Sequence, residues 1–367
     1  MLDKKNVVIV HSKDKSMCGQ LRMHAMTQLG MAGRCGDVEF LVSPEVIQDD
    51  YILQHTCAVV INRVMGPQSS EFVRYYGRKK KRFNFRVVVD YDDCIWDVDG
   101  KSLVPEYNPC KFSPVAVGKH IESCVQYIDE VTVSTRIIGE LWLRRFGKGQ
   151  IVSLVPNYLP RAWYGHNARR YDGDIVKPKV VYGGSPTHYT DKDIGDFDGV
   201  WVPWLTEAVK SDKIEIHMFG YELKAPFLSE IKDKVILHEP TSAWEWGSHL
   251  RDIGGDIYVA PLKENLFNSC KSNLKLLEAS ACGMMFLGSS WPKNEPYFEA
   301  HPLSFVANSW SPDQMQARVD KMCEKDTANS ILYHQDKLIG KYWLEDDKHI
   351  GGILKAWMRD FVHVSGV

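Results

Sequence analysis

The chain has 367 residues, 44% of them hydrophobic and 25% charged, with a formal net charge of −2; that length favours two domains over one, and the composition excludes a disordered or fibrous chain. No apolar run approaches the roughly 20 residues of a membrane-spanning helix. Nine cysteines, an odd number with no CxxC pair, argue for a reducing cytoplasm and against a disulfide framework or a zinc site.

Residues 6–11 form an apolar strand so early that no signal peptide is expected before it. A helix beginning near Gly19 follows, with Leu21, Ala25 and Leu29 on its inward side. Strand, glycine turn and helix open a doubly wound α/β sheet, whose ligands sit beyond the carboxyl ends of its strands. Residues 37–42 and 57–61 read as the next strands. A helix starting at Ser69 ends in the run Arg78, Lys79, Lys80, Lys81 and Arg82, beside Tyr75, Tyr76 and Phe83. Basic and aromatic side chains together suit a phosphate-rich polymer; a solvated helix face is the alternative. Residues 1–170 hold 24 Lys and Arg against 18 Asp and Glu, and the remainder 21 against 29, so the first half is the one expected to meet an anion. A strand over 85–90 runs into Asp90, Asp92, Asp93, Asp97 and Asp99. Carboxylates there can ligate a divalent ion, act as base or orient an acceptor hydroxyl through Asp92 or Asp93, or cap a turn. A helix over 115–127, a strand over 130–134, a helix over 135–146 and a strand over 151–155 complete a first domain, 1–158. Residues 159–178, aperiodic and rich in Arg, Tyr, Gly and Asn, read as a linker.

A second α/β unit, 179–330, starts with a strand over 179–182 that breaks at Gly183 and Gly184. Paired glycines let backbone approach a ligand, and exposed N–H groups cradle phosphate; Gly184, Ser185 and His188 are the candidates, with a plain turn as the alternative. A helix over 204–210, strands over 214–219 and 235–238, and a helix capped by Thr241 or Ser242 follow at α/β rhythm. Next come a strand over 256–260, a helix over 271–281 with Leu274, Leu277 and Ala281 on one face, a stop at Gly283 and a strand over 284–287. The start of that helix combines free N–H groups with Lys271 and Lys275, around Ser272 and Asn273, and so makes an anion site. Glu278 falls on the lysine side, where a carboxylate can take a ribose diol. Lysines for phosphates and an acid for ribose fit a nucleotide-diphosphate donor. A helix over 311–324 and a helical tail over 329–362 close the chain.

Glu278, Ala279, Ser280, Ala281, Cys282 and Gly283, with the glycine turn after residue 182, resemble the donor-binding motifs of GT-B glycosyltransferases. The likeness is to family-4-like enzymes, in a divergent branch met in bacterial and phage sequences. It implies two Rossmann-like domains facing each other across a cleft, with helices of 331–367 crossing back onto the first. It implies that Glu278 binds ribose, that Gly184, Ser185, His188, Lys271, Ser272, Asn273 and Lys275 hold the donor, and that a loop with Gly19 and Arg22 faces the cleft. No cofactor is required, and a divalent metal is not expected. Eight residues before Glu278, where the family carries a second glutamate against the sugar, stands Cys270, so sugar recognition differs. The implied reaction moves a hexose or pentose from a nucleotide sugar, UDP-linked in the first instance, to a hydroxyl. Retention needs no protein nucleophile; inversion would use Asp93 as base. The basic first half and the absence of a membrane anchor point first to hydroxymethylated double-stranded DNA as acceptor, the base being flipped out as phage enzymes require. A surface polysaccharide or lipopolysaccharide acceptor, and a non-catalytic nucleotide-sugar-binding role, are the alternatives.

Overall fold

Short runs of β-branched residues build the first sheet. Its strands are β1 (Val7–His11), β2 (Glu39–Val42), β3 (Thr56–Asn62), β4 (Arg86–Tyr91), β5 (Glu130–Val133) and β6 (Ile151–Leu154). All pair in parallel, in the order β2-β1-β3-β4-β5-β6. β3 is buried along its whole length, as a parallel strand covered by helices on both faces must be. The covering helices are α1 (Ala25–Met31), α2 (Asp50–His55), α3 (Pro67–Phe83), α4 (Pro114–Glu122) and α5 (Arg136–Phe146), with a π-helical turn, Gln20–His24, ahead of α1. The computed structural model describes residues 5–12, 19–96, 113–184, 195–197, 199–219, 229–290 and 297–359.

A short helix α6 (Arg161–Tyr164) lies between the halves in sequence. The second sheet holds β7 (Lys179–Gly183), β8 (Glu215–Phe219), β9 (Val235–His238), β10 (Ile257–Ala260), β11 (Met285–Ser290) and β12 (Phe305–Ala307), again parallel, in the order β12-β11-β10-β7-β8-β9. Its helices are α7 (Trp201–Lys210), α8 (Ala243–Ile253), α9 (Leu266–Ser269), α10 (Leu274–Cys282), α11 (Pro312–Cys323), α12 (Lys325–Ile339) and α13 (Asp347–Met358). In each sheet the winding reverses once. From β1 the chain moves to β2 on one side and then to β3 on the other; from β7 it moves to β8 and β9, and then to β10 on the other side. The crevices beyond the carboxyl ends of β1 and β3, and of β7 and β10, are therefore where such sheets admit ligands.

One core under the first sheet joins Ile9, Val59, Ile61 and Val89 to Trp96 and Trp142, and one under the second joins Val180, Met285 and Leu287 to Trp201 and Trp204. A third is shared. Val8, Val10, Val60 and Val88 of the first sheet pack in the same cluster as Leu276 and Leu277 of α10 and Ile353, Leu354 and Trp357 of α13. The last helix thus crosses back onto the first sheet. Trp357 meets Phe40 edge-on with centroids 6.4 Å apart. Beyond α13, Arg359 donates to both carboxylate oxygens of the fully buried Glu130, at 3.0 and 3.1 Å, and Arg86 donates to the same group at 2.7 Å.

Three expected elements shift. The helix expected over 115–127 stops at Glu122 and resumes only as a tight turn, Val125–Tyr127, in which Tyr127 packs against Gly77. The helix expected from 271 starts at Leu274, because Asn273 is outside the helical region at ψ 18°. The tail is two helices, broken after Ile339. Gly283 does stop α10 in the left-handed region, at φ 69°, where only glycine is free of Cβ strain.

Candidate functional site

The switch point of the second sheet is built from Gly183, Gly184 and Lys275. A Cβ on Gly183 would lie 2.4 Å from the Trp246 ring, and one on Gly184 would lie 2.3 Å from Tyr182 Oη and 3.2 Å from Lys275 Nζ. The turn needs glycine for that close approach. Lys275, in the first turn of α10, donates its ammonium to the Gly183 carbonyl at 2.5 Å and sits 4.6 Å over the Tyr182 ring. Burial pulls this ammonium down to about 8, against the opposing pull of Glu278. A cation poised there gains most from an anion that replaces its lost water.

Glu278 is only 4% exposed. Its Oε1 accepts from Tyr164 Oη at 2.9 Å and Trp246 Nε1 at 3.0 Å, and its Oε2 accepts from Tyr258 Oη at 3.1 Å. Burial pushes the carboxyl above its ordinary range, opposed by the Tyr164 hydrogen bond and the Lys275 charge. In this arrangement each of its oxygens already accepts from an aromatic donor, two on Oε1 and one on Oε2. Its charge also favours the protonated form of Lys275 on the same helix.

Across the cleft, the carboxyl ends of β3 and β4 carry a second charged cluster. Arg63, a non-glycine residue at φ 58°, binds Asp92 Oδ1 at 2.6 Å and lies 3.9 Å from Asp93 Oδ2. Lys271 Nζ reaches over from the second half to Asp93 Oδ1 at 3.7 Å. Its neighbours do the same. Thr135 Oγ1 donates to the Cys270 carbonyl at 3.1 Å, and Asn157 Nδ2 donates to Ser272 Oγ at 2.7 Å. Three consecutive residues before α10 therefore touch the first half. Asp92 is buried in its pair with Arg63, which leaves Asp93 as the member of the two nearer the donor loop.

Arg22 is not a cleft-loop residue. Its Nε and Nη2 donate to Asp90 at 2.6 Å each, and its Nη1 donates to the Val155 carbonyl at 2.8 Å and Asn157 Oδ1 at 3.0 Å. With side chains 3% and 1% exposed, the pair is an internal anchor, and Thr132 also donates to Asp90. Gly19 stands just before the π-helical turn, as its N-cap. Asn273 turns aside to donate to Glu299 at 2.9 Å. Ser185 and His188, together with Asp97 and Asp99, lie outside the described residues.

The basic run is at the wrong end of the first domain for the cleft. α3 leaves the carboxyl end of β3 and returns to the start of β4. Its 17 residues carry the last turn about 25 Å towards the opposite edge of the sheet. The charges are also engaged: Lys80 with Asp129 at 2.6 Å, Arg82 with Asp50 at 2.8 Å and Arg78 with Glu71 at 3.5 Å, while Lys79 lies 5.9 Å over the Tyr75 and Phe83 rings. Lys81 continues the same exposed turn.

Sequence reasoning missed Arg63, Asn157, Tyr164, Trp246 and Tyr258. Only the strand end before Asn157 carried a signal; the others are brought together from distant segments. Among the described residues no group of three or more His, Cys, Asp or Glu side chains could hold a metal ion, and no helix is long and apolar enough to cross a membrane.

No family model matches the sequence, and no curated protein matches it. Solved structures do. Sucrose-phosphate synthase from Thermosynechococcus elongatus aligns over 95% of this chain and 98% of its own, with 13% identity and a TM-score of 0.58. HepE from Anabaena, solved with UDP and glucose, aligns over 94% of this chain and 96% of its own, with 8% identity and a TM-score of 0.60. The lipopolysaccharide outer core galactosyltransferase WaaB aligns over 95% and 98%, with 13% identity and a TM-score of 0.55. This is the GT-B fold. At such identities the likeness is one of architecture, and the chemistry must be argued from the site.

Proposed function

We propose that the protein transfers a glycosyl group from a nucleoside-diphosphate sugar, UDP-linked in the first instance, to a hydroxyl acceptor. The observation that carries this reading is Lys275 held at the glycine turn of the second sheet's switch point, beside the start of α10. Backbone N–H groups, Lys275 and Lys271 stabilise charge as it grows on the departing diphosphate, and electrostatic stabilisation of that kind commonly contributes more to the rate than any other single effect. HepE, solved with UDP and glucose, supports the choice of nucleotide. Asp93, joined to Lys271 across the cleft, orients the acceptor hydroxyl, and serves as its base if the reaction inverts. A saccharide acceptor suits this arrangement better than duplex DNA, because the basic turn that suggested DNA is remote from the cleft and largely paired.

Thermal-shift titration with UDP, UDP-glucose and UDP-N-acetylglucosamine tests the donor assignment. A ligand at 100 times its Kd stabilises by about 2.7 kcal/mol, and Lys275→Met should remove that shift. If no nucleotide raises the melting temperature of the wild-type chain, the assignment is wrong. Release of free UDP from the sugar nucleotide, lost in the same variant, separates an enzyme from a binding protein.

A further inference from the structure

Ser12 directly follows β1 and Asn62 ends β3, the two strands that flank the switch point of the first sheet. β1 and β3 pair with His11 opposite Ile61, so positions 12 and 62 stand side by side at the carboxyl edge. Asn62 is 9% exposed. Its Oδ1 and Nδ2, and the Oγ of Ser12, are buried atoms that make no hydrogen bond. Each such atom burdens the fold with its desolvation penalty, and native proteins keep few of them without a use. The ladder neighbour of Asn62 does not relieve them. Asp90, opposite Asn62 in the ladder, is committed to Arg22 and Thr132. The next residue, Arg63, starts the cluster that runs through Asp92 and Asp93 to Lys271.

The chemistry on offer is mixed. Asn62 presents a donor and an acceptor on one rigid group, and Ser12 can do either. A phosphate would use only the donors, and an apolar ligand neither. Neighbouring sugar hydroxyls, each able to give and to take a hydrogen bond, use all three atoms. We propose that Ser12 and Asn62 form the acceptor subsite and bind hydroxyls of a saccharide, presenting the reacting one towards Asp93. The proposal rests on the glycosyltransferase reading and its saccharide acceptor, and adds to them the residues that bind and select that acceptor.

Saturation-transfer NMR of the full chain tests the subsite, against methyl α-glucoside, methyl β-galactoside and 5-hydroxymethyl-2′-deoxycytidine, with and without UDP. Saturation of at least one glycoside is expected. Asn62→Leu and Ser12→Ala should weaken it, by about tenfold for the loss of the Asn62 pair of hydrogen bonds, while UDP affinity stays at the wild-type value. Asn62→Leu should not lower the melting temperature, because it removes unpaired polar atoms. Asn62→Asp, which keeps the shape and loses the donor, should weaken glycoside binding as well. Four results overturn the proposal: no glycoside signal, a response from the nucleoside alone, glycoside binding that survives Asn62→Leu, or a fall in melting temperature for both Asn62 variants. Glycoside binding without any UDP binding would uphold the subsite and count against the donor assignment alone.

Discussion

Replacing Arg22 with methionine distinguishes an internal anchor from a ligand contact. The wild-type guanidinium makes four hydrogen bonds, two of them to a carboxylate that is 1% exposed. Arg22→Met leaves Asp90 buried with only Thr132 to satisfy it, and strands the Val155 carbonyl. Breaking a buried ion pair by removing one partner costs about 3–5 kcal/mol. At about 2–4 °C per kcal/mol for units of this size, the melting temperature should fall by about 6–20 °C. Asp90→Asn restores neutrality, so the double variant should be more stable than the sum of the two single losses, by about 0.5–3 kcal/mol of coupling. Calorimetry of the four proteins, with UDP titrated into each, decides the matter. An unchanged melting temperature in Arg22→Met, combined with loss of UDP binding, would refute the reasoning and return Arg22 to the cleft.

Lys275 should make UDP binding pH-dependent. Its ammonium stands at about 8 rather than the usual 10.5; a bound diphosphate raises it, so affinity should fall as pH climbs past that value, approaching about tenfold per unit, and binding near it should take up a proton that calorimetry in two buffers detects. Stability runs the other way. Between 8 and 10.5 the folded ligand-free protein holds fewer protons on Lys275 than the unfolded chain, so this residue's contribution to stability rises with pH there. Glu278→Gln turns a donor towards one of the three aromatic donors and should cost about 1–3 kcal/mol in urea denaturation, with Tyr258→Phe recovering part of the loss. Arg359→Ala removes a bidentate partner from buried Glu130 and should destabilise by about 1–3 kcal/mol, with faster amide exchange in β5 and β6 as the local readout.

Much of the alternation of strands and helices was legible, because parallel strands buried on both faces are continuous apolar runs and glycine marks helix ends such as Gly283. The glycine turn and Lys275 were legible as an anion site for the same reason: both lie within local segments whose geometry follows from short-range rules. What sequence could not show was which way charged side chains face. Arg22 sits one turn into a helix after a strand, as a phosphate ligand would, yet Asp90 lies 68 positions away and captures it. Glu278 shares a helix with Lys275, but the indole and phenols that occupy its oxygens come from α6, α8 and β10. The run over 78–82 looked like a polyanion grip because a linear count of charge ignores Asp50 and Asp129, which fold beneath it.

The return of α13 onto the first sheet has a consequence for biosynthesis. Val8, Val10 and Val60 find part of their apolar cover in Ile353, Leu354 and Trp357, and Glu130 waits for Arg359. Domains ordinarily mature as they leave the ribosome, N-terminal first, at about 5–20 residues per second. Here the earliest strands to emerge stay incompletely covered until the segment that shields them has been made, and nascent chains should lean on chaperones through that interval.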